Sequence, residues 1–165
     1  MTTPHLRAKI LVLSDAASRG EREDRSGPAV QEILEARGWT IAAREILPDE
    51  MDQIQKRLEN WTDGGDCDAV FTTGGTGLGP RDVTPEATRA VIEREIPGLV
   101  EVMRAEGMKK TPRAALSRAV AGVRKRKLII NLPGSVRGAR ESLESIIELL
   151  PHAVDLVQGR TGHSG

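Results

Sequence analysis

Aromatic side chains are nearly missing from this chain. Trp39, Trp61 and Phe71 are the whole set, and there is no tyrosine. A platform on which single-stranded bases stack needs more rings than that. Cysteine occurs once, at Cys67. One thiol forms no internal disulfide and falls far short of a zinc cluster, so Cys67 reads as a small filler near a strand start. Net charge is missing too: 24 Lys and Arg balance 24 Asp and Glu. That argues against broad attraction to nucleic acid or an anionic membrane. No apolar stretch approaches the ~20 residues of a membrane span, and the N-terminus lacks the apolar core of a signal peptide. These absences lead us to expect a soluble cytoplasmic protein. His5, His152 and His163 lie far from the motifs described below and read as bystanders.

What the chain does have is alternation. Its 165 residues suit one domain with a sizeable core. Short apolar runs at 9–14, 40–47, 69–73, 119–123 and 128–132 read as strands, the first rich in branched residues and buried on both faces. Between them lie helical patterns. Val30, Ile33 and Leu34 share one face, with Pro28 in the first turn and Gly38 at the stop. Met51, Ile54, Leu58 and Trp61 form another stripe. Helical spacing continues over 85–95 and 99–107 with Pro97-Gly98 between, then through Leu143, Ile146, Ile147 and Leu150 until Pro151 breaks it. Arg124-Lys125-Arg126-Lys127 reads as a solvated hairpin turn, and 160–165 as a loose tail. Strands alternating with helices predict a mostly parallel sheet covered on both faces, with ligands beyond the strands' carboxyl ends. Polar or glycine-rich segments leave that edge after Leu13, Thr73 and Leu132.

The second of these segments is TTGGTGLGPRDVTPEAT, residues 72–88. Gly74, Gly75, Gly77 and Gly79 let bare backbone approach an anion. Thr84 suits an N-cap and Pro85 the first helical position, giving strand, open loop and capped helix. The spacing matches neither a P-loop, since no lysine follows the last glycine, nor G-x-G-x-x-G, since Pro80 takes the third position. Phosphate binding and a plain turn both remain open on these grounds. Asp82 beside an anion loop makes sense if magnesium mediates, or if it merely supports the helix start. Asp49, in LPDEMDQI, is either an N-cap or a second acid at the same sheet edge. Asp15 and Asp24 belong to the loop after the first strand, again at that edge.

Taken together and in order, SDAASRG…DRSGP, ILPDE, TTGGTGLGPRDVTPEAT, LSRAVAG and IINLPGS resemble the MogA/MoaB family of molybdenum cofactor biosynthesis, to which the gephyrin G domain is related. The resemblance runs from about residue 9 to about residue 159, and GGTG…RDVTPEAT is its most specific part. It implies a three-layer α/β/α sandwich with a mostly parallel central sheet, a homotrimer, and adenylyl transfer from ATP to molybdopterin with magnesium. It implies Asp49 and Asp82 as catalytic and metal-holding acids, and Gly74, Gly75, Thr76 and Gly77 as the nucleotide loop. Pterin-side contacts would come from Ser14, Asp15, Asp24, Ser26, Gly27 and Ser135. The transfer itself needs charge neutralisation at the α-phosphate and pyrophosphate, which Arg81 or Arg118 could supply; the alternative for Arg81 is a solvated loop residue. A molybdenum-insertion enzyme would receive the product. Insertion domains show a GGVS-like loop, and CinA-type domains carry paired acids after theirs; this chain has GGTG and the single Asp82. The alternative is a MoaB-type molybdopterin binder without efficient turnover.

Overall fold

The first strand, β1 (Arg7–Leu13), is buried between two helical layers because both of its faces are apolar. Ile10 and Val12 enter one core and Leu11 and Leu13 another, the two-residue alternation of an extended chain. The computed structural model describes residues 5–160. Around β1 a six-stranded sheet forms in the order β2-β1-β3-β6-β5-β4. β2 (Thr40–Leu47), β3 (Ala69–Thr73) and β6 (Lys127–Leu132) complete the parallel part with β1. β4 (Arg94–Glu95) and β5 (Ala121–Arg124) extend it antiparallel.

Helices cover both faces. On one lie α2 (Ser26–Ala36), α5 (Pro97–Met108), α6 (Val136–Ile146) and α7 (Leu150–Val157). Their Val30, Leu99, Leu143 and Val154 share a core with Ile10 and Phe71. On the other, α3 (Met51–Asp63) and α4 (Thr84–Val91) place Ile54, Leu58, Trp61 and Ala87 against Leu11 and Val70. This is the expected three-layer arrangement. Trp39 meets Phe71 edge to face at 5.8 Å, inside the larger core. Cys67 is buried, as a filler residue would be.

Several local expectations are corrected. The helix expected over 85–95 stops at Val91, and Arg94–Glu95 becomes the edge strand paired with Val123 and Gly122. Pro97 opens α5 rather than interrupting a helix, and Pro151 lies in the first turn of α7 rather than ending α6. Both prolines sit where the missing N–H has no helical partner to lose. The aperiodic stretch after β1 contains a short helix, α1 (Asp15–Ser18), capped by Ser14 Oγ accepting from Ala17 N at 3.1 Å. The basic run does turn a hairpin, with Lys125 and Arg126 at φ 51° and 64°. Of the expected tail, Arg160 pairs with Asp155 at 2.8 Å, and the rest, with His163, lies outside the described residues.

Candidate active site

Beyond the carboxyl ends of β1, β2, β3 and β6 the loops enclose a cleft of about 690 Å³. Eight of the sequence-predicted residues line it: Ser14, Asp24, Ser26, Asp49, Gly74, Gly75, Asp82 and Ser135. They come from loops far apart in the chain, brought together because neighbouring parallel strands end at the same edge. Arg22, Arg25 and Thr73 also line it, and the sequence reading assigned none of them a role. The two arginines had a readable signal: they flank Asp24 in the same loop.

Four predicted residues lie elsewhere. Asp15 and Gly27 back the cleft wall: Asp15 bonds Asp49, and the Gly27 amide donates to Asp24 Oδ1 at 3.0 Å. Thr76 and Gly77 line a second cavity, about 290 Å³, together with Met103, Leu116, Ser117 and Ser142. Ser135 borders both spaces. The glycine loop is thus a partition, its first half on one chamber and its second half on the other.

Asp49 is not a helix cap. Glu50 holds the position before α3, without a side-chain cap bond. Instead Asp49 Oδ2 accepts from Asp15 N at 3.1 Å, and Asp49 N donates to Asp15 Oδ1 at 3.0 Å. Asp49 Oδ1 is buried and has no hydrogen-bond partner, alone in this among the buried side-chain atoms of the described residues. Burial pushes the Asp49 carboxyl above the usual carboxylate range, and the charges of Asp15 and Asp82 add to the push. Asp15 moves the other way, because the Arg81 guanidinium hydrogen-bonds it. Arg81 itself is held more firmly charged by Asp15 and Glu50.

The loop after β3 explains its own sequence. Gly74 and Gly75 have φ of 98° and 70°, a region that side chains avoid. A Cβ on Gly74 would lie 2.3 Å from Leu13 O, and one on Gly75 2.2 Å from Thr84 Oγ1 and 3.1 Å from Asp49 Oδ1. Thr84 does not cap α4 as expected: its hydroxyl donates to Gly74 O at 2.9 Å, and Val83 holds the cap position. Asp82 makes a bond within its own loop, Oδ2 accepting from Gly79 N at 2.9 Å, while still lining the cleft. Arg118 is a clamp, not a loose cation. Its Nε donates to Gly77 O and its Nη2 to Asp82 O, both at 2.8 Å, and Nη1 pairs with Glu86. Beneath the loop, buried Asn131 accepts from Val120 N and donates to the Thr72 and Thr88 hydroxyls, each bond 3.0 Å.

Among the described residues no group of three or more His, Cys, Asp or Glu forms a ready metal cage. Magnesium does not ask for one; it uses one or two carboxylates, water and substrate phosphates. Asp49, with its buried unpartnered oxygen, and Asp82 on the same cleft fit that demand.

A parallel-centred α/β sheet with an acid- and glycine-lined cleft at its strand ends defines an α/β protein of the class that places its ligand site beyond the carboxyl ends of the strands. Similarity narrows this. The family described as a probable molybdopterin binding domain matches residues 9–152. A molybdopterin adenylyltransferase of Helicobacter pylori (strain J99) is 45% identical over 161 residues, covering 96% of this chain and 90% of that protein. That of Escherichia coli (strain K12) is 38% identical over 168 residues, covering 93% and 86%. The crystal structure of the molybdopterin biosynthesis enzyme MoaB from Thermus thermophilus superposes with a TM-score of 0.88 at 55% identity, covering 93% and 97%. The chain belongs to the molybdopterin-binding domain family of molybdenum cofactor biosynthesis, in agreement with the resemblance seen in its motifs. No helix among the described residues is long and apolar enough to cross a membrane.

Proposed function

We propose that this chain is a magnesium-dependent adenylyltransferase that moves AMP from ATP to the terminal phosphate of molybdopterin and releases pyrophosphate. The observation that carries the reading is Asp49 Oδ1, a buried carboxylate oxygen without a partner in the same cleft as Asp82 and the Gly74-Gly75 turn. A bare pterin-binding surface has no use for a desolvated acid held that way. The adenylyltransferase names of the Helicobacter and Escherichia relatives support the same activity.

The chemistry needs no general base. A phosphate monoester has its second pKa near ~6 and is mostly dianionic at neutral pH. One of its oxygens attacks the α-phosphorus of ATP; a new P–O bond forms, the α–β bridging bond breaks, and pyrophosphate leaves with the electron pair. The cost is negative charge gathered in one place. Magnesium, when bound, neutralises phosphate charge. Asp49 and Asp82 would hold it, and Arg22 and Arg25 bring positive charge to the same cleft. Gly74 and Gly75 carry the turn past Leu13 and Thr84, and their backbone borders the cleft where phosphate oxygens would approach. Ser14, Asp24, Ser26 and Ser135 contact the pterin side in this reading. Thr76 and Gly77, which the resemblance assigns to the nucleotide loop, would serve it from the second chamber.

The reading extends to a cytoplasmic homotrimer that passes its product to a molybdenum-insertion enzyme. Sedimentation at three times the 17.9 kDa chain mass is the expected result. The activity is tested with Asp82→Asn in a coupled pyrophosphate assay. We expect most turnover to disappear while the melting curve stays cooperative; full turnover by the variant would remove Asp82 from the mechanism.

A further inference from the structure

Three loops meet at one guanidinium. Arg81, from the loop after β3, gives Nε and Nη2 to the two oxygens of Asp15, both at 3.0 Å. The same Nη2 reaches Glu50 Oε1 at 2.8 Å. Asp15 opens α1 just after β1, and Glu50 follows Asp49 after β2. Asp15 is in turn braced against Asp49, each backbone amide donating to the other's carboxylate. The whole set therefore bears on one side chain. Asp49 Oδ2 is occupied, the carboxylate cannot turn without breaking the brace, and Oδ1 stays buried beside the Gly75 backbone.

We propose that Arg81 and Asp15 are positioning residues for Asp49: the forked Arg81–Asp15 pair fixes the brace that aims Asp49 Oδ1 at the cation. This rests on the reading of Asp49 as a metal-holding acid. It reassigns Asp15, which the motif resemblance placed on the pterin, and Arg81, which the charge demand of the reaction offered to phosphate. Both Arg81 nitrogens that bond here are committed to carboxylates, so the guanidinium serves the loops rather than the substrate. Partners that orient a ligating carboxylate without touching the metal commonly contribute about 10–100-fold to its affinity. The fork also specifies arginine, since lysine offers a point charge and no planar pair of donors.

The test is calorimetric binding of Mn²⁺ in the presence of a non-hydrolysable ATP analogue, with kcat and the KM for molybdopterin measured alongside. Wild type is compared with Arg81→Ala, Arg81→Lys, Asp15→Asn and Glu50→Gln. We expect Arg81→Ala and Asp15→Asn to weaken the cation by about 10–100-fold, with the KM for molybdopterin unchanged. Arg81→Lys should fail to restore the affinity, and Glu50→Gln, which keeps the fork, should lose least. Wild-type cation affinity in folded Arg81→Lys would overturn the proposal, since charge alone would then suffice. A raised molybdopterin KM with intact cation binding in Asp15→Asn would also overturn it, by making Asp15 a substrate contact. Loss of cation dependence in the wild-type protein itself would instead overturn the parent reading, and this one with it.

Discussion

Asp49 concentrates the tension between stability and activity in a single carboxylate. Its folded pKa is raised by burial and by the neighbouring acids, so protonation is easier in the native state than in the unfolded chain. Any stabilisation from that form is complete at pH below the unfolded value of ~3.9 and is lost as pH rises through the folded pKa. Near neutral pH the ionised side chain is a liability that function retains. Asp49→Asn keeps an oxygen for the Asp15 amide and removes the charge. We expect it to melt no lower than wild type at about pH 8, with the advantage shrinking toward about pH 4, while transfer falls on the order of 100-fold. Calorimetric melting at both pH values, beside the pyrophosphate assay, checks the pair of effects. Asp15 runs opposite: its lowered pKa gives stability above the unfolded value that disappears as pH falls through the folded one. Gly75 is the other residue under constraint. Gly75→Ala meets both the φ of 70° and the Thr84 hydroxyl, and should cost about 1–3 kcal/mol in a denaturant titration.

At the scale of elements, the loop after β3 owes its shape to parts distant in sequence. Arg118, 41 and 36 residues from its two carbonyl partners, ties Gly77 to Asp82. Arg118→Ala should therefore speed hydrogen exchange of the 76–84 amides while leaving β1 and β3 protected. Asn131 joins the strand before that loop to the helix after it, through Thr72 and Thr88, and all its bonds are buried. Asn131→Ala strands several polar partners at once, and a loss of about 3 kcal/mol is expected on chemical unfolding. These two residues mark the limit of what was legible in the sequence. The strands, the two-faced sheet and the glycine loop followed from local pattern: the apolar run in KILVLS, the stripe in α3, the four glycines between positions 74 and 79. That Asp49, Asp82, Ser14, Asp24 and Ser26 share one cleft could be expected because strand ends and motifs flag an edge. Hidden from that reading were contacts set by register between distant segments. Thr84 turned from the cap position into the Gly74 carbonyl, Asp15 bonded Asp49 across 34 residues, and Arg118 closed the loop. A side chain with two plausible local partners cannot be assigned from its neighbours alone.

For the whole molecule, zero net charge hides an uneven local distribution. Charge is sorted locally: Arg22 and Arg25 on the cleft, Asp49 and Asp82 within it, and ion pairs such as Arg19–Glu21, Lys109–Glu106 and Arg137–Glu141 over the surface. Exposed pairs of that kind contribute little to stability. Salt should therefore affect substrate binding more than melting. Magnesium-dependent adenylyl transfer in the cleft is tested most directly by pyrophosphate released from ATP by the wild-type protein with molybdopterin, with and without magnesium, beside Asp49→Asn. We predict that wild type releases pyrophosphate and forms adenylyl-molybdopterin in equal amounts only with magnesium, and that Asp49→Asn does so on the order of 100-fold more slowly. Tight molybdopterin binding with no pyrophosphate under any of these conditions would contradict this function and leave the protein a pterin carrier.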